Sequence, residues 1–395
     1  MFCVFSPAGL RAYPEHFIKL CRVFINIELS SHHIKNIGRS FFEYYENGIR
    51  KSKNKLCMLP HLPYVCRMIF LPLIYLIHMA AVISAGRQAA KKGKIDWFVG
   101  VNYYCAFCGI ILQKLGYVQK VIYRVLDFYP RPPDGIYHYL IPVFNKIDSF
   151  CIYHSNAIWH TTAGHIQGRI QAGYSFNPRV YLHKIPLGVI GRNILHDIHI
   201  DINRQSLVYA GVINRNHGLE IILKIVPRLQ KRFPDLKLHI IGSGPFESEI
   251  LRVISQNNEL KKAVHLHGYL AEDSQELQSI VSRSALGLAL YEPEQHGFMQ
   301  FTEPAKVKLY LSRAVPVLIT RVPEIAGVIE QKGAGFIVAY DEESILQRMC
   351  SFFEDTEGQD AARKNALDFI RAFDTDFLLD AAVKATLEYF VKPIV

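Results

Sequence analysis

The chain has 395 residues, 50% of them hydrophobic and 20% charged, which excludes a disordered or fibrous protein and leaves room for two domains. Its net charge of +10 is uneven: residues 1–200 carry 23 Lys/Arg against 9 Asp/Glu (+14), and residues 201–395 carry 22 against 26 (−4). A basic first half implies an anionic partner, and with no Arg-rich run, zinc-finger spacing or aromatic RNA-binding strand, an anionic membrane surface is expected and nucleic acid is not.

In chain order, the start Met1–Phe5 is apolar but lacks a basic n-region and a small-residue cleavage site. No secretory signal is read, and the expected location is cytoplasmic, peripheral on the inner face of the membrane. Met68–Ala85 (MIFLPLIYLIHMAAVISA) is a marginal length against the roughly 20 residues that cross a bilayer. Basic clusters flank it, Arg50–Lys55 (RKSKNK) and Arg87–Lys94 (RQAAKKGK). Three placements stay open: a helix on the membrane interface, a helix buried in its own domain, or a span, which would separate residues 1–66 from the rest of their domain. Eight cysteines without regular spacing suit a reducing compartment. Cys105-Ala-Phe-Cys108 has no second ligand pair, so no metal site is assigned.

Apolar runs at Asp96–Val101, Lys120–Leu126, Ser206–Ala210, Leu236–Ile241, Ala285–Ala289 and Val315–Thr320 predict short buried strands. Helical periodicity is clearest at Leu219–Phe233, Phe246–Asn257 and Ser274–Ser284. Strands alternating with helices predict an α/β protein with parallel sheets. Gly188–Gln205 reads as a linker, giving Rossmann-like domains over residues 1–195 and 196–375, a C-terminal helix over 376–395 that returns to the first domain, and a cleft between the sheets.

Asp127 follows an apolar strand, where a carboxylate can take a hydroxyl proton, or can merely cap the turn into Tyr129-Pro130. Gly211, Gly242 with Gly244, and Gly268 each follow a strand of the second half. Glycines there admit a phosphate close to backbone, with Arg215 adding a cation; the alternative is that they only make tight turns. In Phe301–Thr320, Pro304 suits a first helical turn with Thr302 or Glu303 as its cap. Glu303 would accept two ribose hydroxyls and Lys306 would meet a diphosphate, with Tyr310 on the same helix face; the alternative is an exposed Glu303–Lys306 ion pair.

The segments LVYAGVINRNHGLE, LKLHIIGSGP, VHLHGYL, EPAKVKLYLSRAVPVLIT and GAGFIVAYDEESI resemble the donor-binding domain of GT-B glycosyltransferases, especially family 4-like ones. That resemblance implies a GT-B fold and transfer of a sugar from a nucleotide diphosphate, a UDP-sugar before a GDP-sugar, to a glycan or polyprenyl-diphosphate-linked acceptor, with no cofactor. It places Gly211 and Arg215 near the donor phosphates, Gly242, Gly244, Gly268, Tyr269 and Leu270 near the base, and Glu303 and Lys306 near ribose and phosphates. The two family 4 glutamates fall in register on Phe301 and Leu309, so neither is present. Pro304-x-Lys306-x-x-x-Tyr310 is similar instead to the Pro-x-Lys variant of membrane-associated glucuronosyltransferases in polysaccharide assembly. Asp96–Tyr129 resembles the acceptor domain, which implies Asp127 as general base, Arg124 orienting it or binding an acceptor phosphate, and His16 as a loop histidine of the first strand. A non-catalytic partner subunit of the same fold and a nucleotide-sugar epimerase are the competing expectations.

Overall fold

The computed structural model describes residues 2–6, 12–28, 39–58, 71–130, 136–196, 200–215, 217–293, 299–301 and 303–391. The chain forms two compact units, Met1–Pro186 with Leu378–Val395, and Leu187–Phe377.

In the first unit the described elements are β1 (Phe2–Ser6), α1 (Ala12–Leu20), β2 (Val23–Glu28), β3 (Arg39–Glu46), β4 (Ile49–Met58), α2 (Leu71–Ala90), β5 (Ile95–Val101), α3 (Tyr103–Lys114), β6 (Val118–Val125), α4 (Ile136–His154), β7 (Ala157–His160), α5 (Ala163–Gln171) and β8 (Tyr181–Lys184). They build a sheet in the order β4-β3-β2-β1-β5-β6-β7-β8. From β2 to β8 neighbouring strands run parallel. The edge β2-β3-β4 is antiparallel, which the alternation of strands and helices did not foretell. Its cause is local: Asn47 and Gly48 both have positive φ (48° and 79°), the two-residue hairpin turn that Asn-Gly favours.

The hairpin also changes the meaning of RKSKNK. These residues form an edge strand, and Lys53 (3.0 Å) and Arg50 (3.4 Å) pair with the buried Glu43 of β3. Burial alone would raise the Glu43 carboxyl; the hydrogen bonds from Lys53 and Asn26 and the two cations outweigh it, and the net shift is downward. Part of the basic surplus is therefore consumed inside the domain.

Of the apolar stretch Met68–Ala85, residues 68–70 lie outside the described residues. The rest opens α2, which buries Ile74, His78, Val82, Ala85 and Ala89 at helical spacing against the domain. Only 33% of its most apolar window is buried, and Leu73 and Leu76 are exposed. The helix thus packs on one side and leaves apolar surface on another.

Behind the sheet, Trp159 stacks on Phe17 (6.4 Å) and meets Trp97 edge-on (6.4 Å). The helix Thr375–Val391 closes this cluster with Leu379, Ala382 and Val383. His16 lies within α1, not in the loop before it, and its Nε2 pairs with Asp380 of that closing helix at 3.2 Å.

The second unit runs β9 (Asn203–Ala210), α6 (Leu219–Arg232), β10 (Lys237–Ile241), α7 (Glu247–Gln256), α8 (Asn258–Ala263), β11 (Val264–Gly268), α9 (Gln275–Ser282), β12 (Ser284–Ala289), α10 (Ala305–Ser312), β13 (Val317–Thr320), α11 (Ile325–Gln331), β14 (Gly335–Val338), α12 (Glu342–Glu354) and α13 (Thr356–Ile370). The described strands make a parallel sheet ordered β11-β10-β9-β12-β13-β14. Leu219, Ile222, Val226 and Leu229 of α6 follow the i, i+3, i+7 pattern and are buried on this sheet.

Trp159 Nε1 donates to Thr386 Oγ1 at 3.0 Å, with both residues fully buried. Thr386→Val strands that N–H and is expected to lower unfolding stability by about 1–3 kcal/mol in urea titration; an unchanged midpoint would contradict the bond.

Candidate functional site

In the second unit, three neighbouring strands end in glycine, and backbone bonds knit their ends together. Gly211 N donates to Ile241 O (2.9 Å), Gly242 N to Gly268 O (2.7 Å) and Ile213 N to Ser243 O (3.0 Å). Gly211, Gly242 and Gly268 have φ of 146°, 137° and 65°, which L side chains rarely adopt. A Cβ on Gly242 would strike Gly211 O, and one on Gly244 would strike Ile213 O. Close backbone packing therefore already requires Gly242 and Gly244, while Gly211 and Gly268 are favoured by their positive φ. Arg215 projects outward and lies 4.5 Å over the Phe246 ring. Tyr269 is 71% exposed beyond β11, and Leu270 is half-buried against the core.

Helix α10 stands over these strand ends. Tyr310 anchors it: its hydroxyl accepts from Ala210 N (2.7 Å) and donates to Leu288 O (3.2 Å), bridging β9 and β12. Pro304 occupies the cap position, not the first turn, and no side chain caps the helix start; Thr302 lies outside the described residues.

One turn before Tyr310, Lys306 turns its ammonium inward. Nζ lies 4.0 Å from the Tyr209 ring centre and 5.5 Å from that of Tyr291, and its Cε would lie 3.2 Å from a Cβ at Gly211. The nitrogen is shut off from solvent and has no hydrogen-bond partner among the described residues. Desolvation lowers its pKa to about 7. The rings offer a cation–π contact, but among the described residues no anion pairs with the charge.

The alternative to these roles, a Glu303–Lys306 ion pair, is not formed. Glu303 is buried, with Oε1 2.8 Å from Lys308 Nζ and Oε2 accepting from Leu187 N at 2.7 Å. Lys308 also lies 3.0 Å over the Phe373 ring. The carboxylate expected on a ribose thus serves internal partners, and the sequence had no local sign of Lys308, five residues on, as its partner. Leu309 is half-buried in the core beside Tyr310.

In the first unit, Asp127 lies in the loop after β6 and remains solvent-accessible. Its Oδ2 accepts from the Tyr129 hydroxyl at 3.2 Å. Desolvation by surrounding protein raises the carboxyl above its ordinary value, against the opposing pull of Tyr129 and the Arg169 charge. Arg124 is fully buried in β6, not presented to an acceptor; burial foremost, with its charge adding, lowers His165 and His183. His16 belongs to the pair with Asp380. Cys105 and Cys108 are fully buried on α3, and burial pushes the Cys108 thiol up.

Asn102 escaped the sequence reading. It follows β5 with φ 64° and ψ 169°, outside the regions side chains prefer, and its Oδ1 accepts from Cys105 N at the start of α3. Its position after the strand ending Gly100-Val101 was the one available signal.

Opposite stability effects separate the two charges of the donor-domain site. Glu303→Gln leaves Lys308 buried without its carboxylate and is expected to cost about 3–5 kcal/mol. Lys306→Met removes an unbalanced ammonium and is expected to melt at or above wild type without nucleotide, as checked by thermal shift.

The comparisons with known proteins agree with this architecture. Residues 204–355 match the family "Glycosyl transferases group 1". The chitobiosyldiphosphodolichol beta-mannosyltransferase of Debaryomyces hansenii is 23% identical over 306 residues, covering 72% of this chain and 61% of that protein, so the match spans about three fifths of the relative. Sucrose-phosphate synthase of Thermosynechococcus elongatus superposes with a TM-score of 0.70 at 12% identity, over 99% of each chain. HepE of Anabaena, solved in complex with UDP, superposes with a TM-score of 0.66 at 12% identity, over 98% of this chain and 100% of that one. Residues 204–355 thus match the group 1 glycosyl transferase model, in a chain that has the GT-B fold of the solved glycosyltransferases it superposes on.

Proposed function

We propose that the protein transfers a hexosyl or glucuronosyl unit from a nucleotide diphosphate, a UDP-sugar before a GDP-sugar, to a glycan or polyprenyl-diphosphate-linked acceptor in glycan biosynthesis. The observation that carries this reading is the enclosed Lys306 ammonium, with no anion beside it among the described residues, over the glycine-lined ends of β9 and β10. A diphosphate supplies the missing charge. The UDP bound by HepE and the lipid-diphosphate acceptor in the mannosyltransferase's name support the donor and acceptor classes.

In the proposed step Asp127 takes the acceptor hydroxyl's proton, the oxygen attacks the anomeric carbon, and the bond to the diphosphate oxygen breaks. The raised Asp127 carboxyl is a better base than an ordinary aspartate. Negative charge grows on the departing diphosphate, and Lys306 with the uncapped N-terminus of α10 meets it. This counter-charge comes from the chain itself, which supports a metal-independent reaction. Glu303, engaged with Lys308 and Leu187, holds the approach to α10 in place. Arg215 and the strand-end glycines complete the phosphate side, with Tyr269 and Leu270 toward the base.

Nucleotide binding tests the donor assignment. UDP is expected to raise the melting temperature more than GDP or ADP, and Lys306→Met to abolish the rise. Free Lys306 titrates at about 7, so binding at higher pH must first protonate it. UDP affinity is therefore expected to fall roughly tenfold per unit above pH 7 until the complex itself titrates. Asp127→Asn is expected to keep UDP binding and lose transfer by the purified protein; transfer activity in cells left unchanged by the substitution would favour a non-catalytic partner role.

We place the first unit on the cytoplasmic face of an anionic membrane. Supporting this are exposed Leu73 and Leu76 on α2 and the exposed Arg87, Lys91, Lys92 and Lys94 at its far end. Flotation with phosphatidylserine or phosphatidylglycerol vesicles is expected, and Leu76→Glu should weaken it; no flotation of the wild type removes this placement.

A further inference from the structure

The loop that carries Asp127 is gripped at three successive residues by a buried network that no local sequence pattern announces. Asp148 of α4 and Arg169 of α5 form an enclosed ion pair, with Nε to Oδ2 at 2.9 Å and NH2 to Oδ1 at 3.2 Å. They are 4% and 1% exposed. The Tyr123 hydroxyl of β6 donates to the same Asp148 at 2.6 Å. From this fixed base the guanidinium reaches outward: NH2 also donates to Asp127 O at 3.1 Å, NH1 donates to His165 O at 3.0 Å, and the group lies 5.1 Å over the Phe128 ring. On one side Thr161 Oγ1 donates to Leu126 O at 3.5 Å, and on the other Tyr174 meets the Phe128 ring edge-on at 6.1 Å.

A guanidinium presents donors in a rigid fork, so anchoring one edge on Asp148 fixes where the others point. A lysine at this position would keep the charge but not the simultaneous contacts to Asp148, Asp127 O and His165 O. The buried pair is a costly arrangement, because removing either partner strands the other charge in the interior. Its contacts converge on residues 126–128, and only the Asp127 side chain leaves that segment toward solvent.

We infer that the Arg169–Asp148 pair is the positioning element of the reaction, holding the Asp127 loop so that its carboxylate is presented to the acceptor hydroxyl without reorganisation. This rests on the assignment of Asp127 as the proton acceptor. Arg169 and Asp148 touch no reacting atom and act through the backbone of residue 127.

The test compares the full-length chain with Arg169→Lys, the charge-free pair Arg169→Met/Asp148→Leu, and Asp127→Asn. Folding is checked by circular dichroism and by the UDP-induced melting shift, which resides in the other unit. The double variant leaves no orphan charge, so it keeps the test meaningful if Arg169→Lys fails to fold. Expected for the double variant are faster amide hydrogen exchange at residues 126–129, at least a tenfold fall in kcat with donor KM within twofold, and an acid limb of the kcat/KM profile moved to higher pH. Arg169→Lys is expected to lose kcat with little movement of that limb, since it keeps a cation. An inactive Asp127→Asn beside a folded double variant with wild-type kcat and exchange overturns this inference alone. Full activity of Asp127→Asn overturns the proton-acceptor assignment and this inference with it.

Discussion

A lysine ammonium enclosed by tyrosine rings, with no anion beside it among the described residues, organises the strand-end site of the second unit. Such a charge is tolerated only where its surroundings are stiff, and here the stiffness is built from the backbone outward. Strand ends are knitted by N–H···O bonds at Gly211, Gly242 and Gly268, and Tyr310 pins α10 to β9 and β12 one turn from Lys306. The charge is a standing demand for an anion, and the proposed pyrophosphate would answer it at the end of a parallel sheet, where helix N-termini also favour anions.

Three buried carboxylates are balanced internally. Glu303 is held by Lys308 and Leu187 N, Glu43 by Lys53 and Arg50, and Asp148 by Arg169 and Tyr123. Each carboxylate is buried, and each would cost stability if its partner were lost. Against that background Lys306 stands out by having no such partner among the described residues. Asp127 differs in another way: its carboxyl is accessible while its backbone is held. A fixed backbone under an accessible carboxylate suits the proposed proton transfer, because little order remains to be created when an acceptor arrives.

Much of the second unit was legible in the sequence. The runs at Ser206–Ala210, Leu236–Ile241 and Ala285–Ala289 appear as β9, β10 and β12 within a few residues of their expected limits, because buried parallel strands are short, apolar and bounded by polar turns. The first unit was less legible. The hairpin β3-β4 carries charged residues on an edge, so apolar content did not flag it, although Asn47-Gly48 between alternating segments was a readable turn signal. Arg124 and His16 carried the right chemistry at suggestive positions, yet one is sealed in the sheet and the other is paired with Asp380, more than three hundred residues away in sequence.

By itself the sequence determined the α/β alternation, the glycine-terminated strands of the donor domain and the Pro304-x-Lys306 signature, because each is written in residues close together along the chain. Only the tertiary structure decided which charges meet. It gave Glu303 to Lys308 and Leu187, left Lys306 enclosed and unbalanced, and set Arg169 under the Asp127 loop. Ion pairs form wherever packing brings two side chains within a few ångströms, and that distance depends on how whole elements pack, which no local spacing encodes.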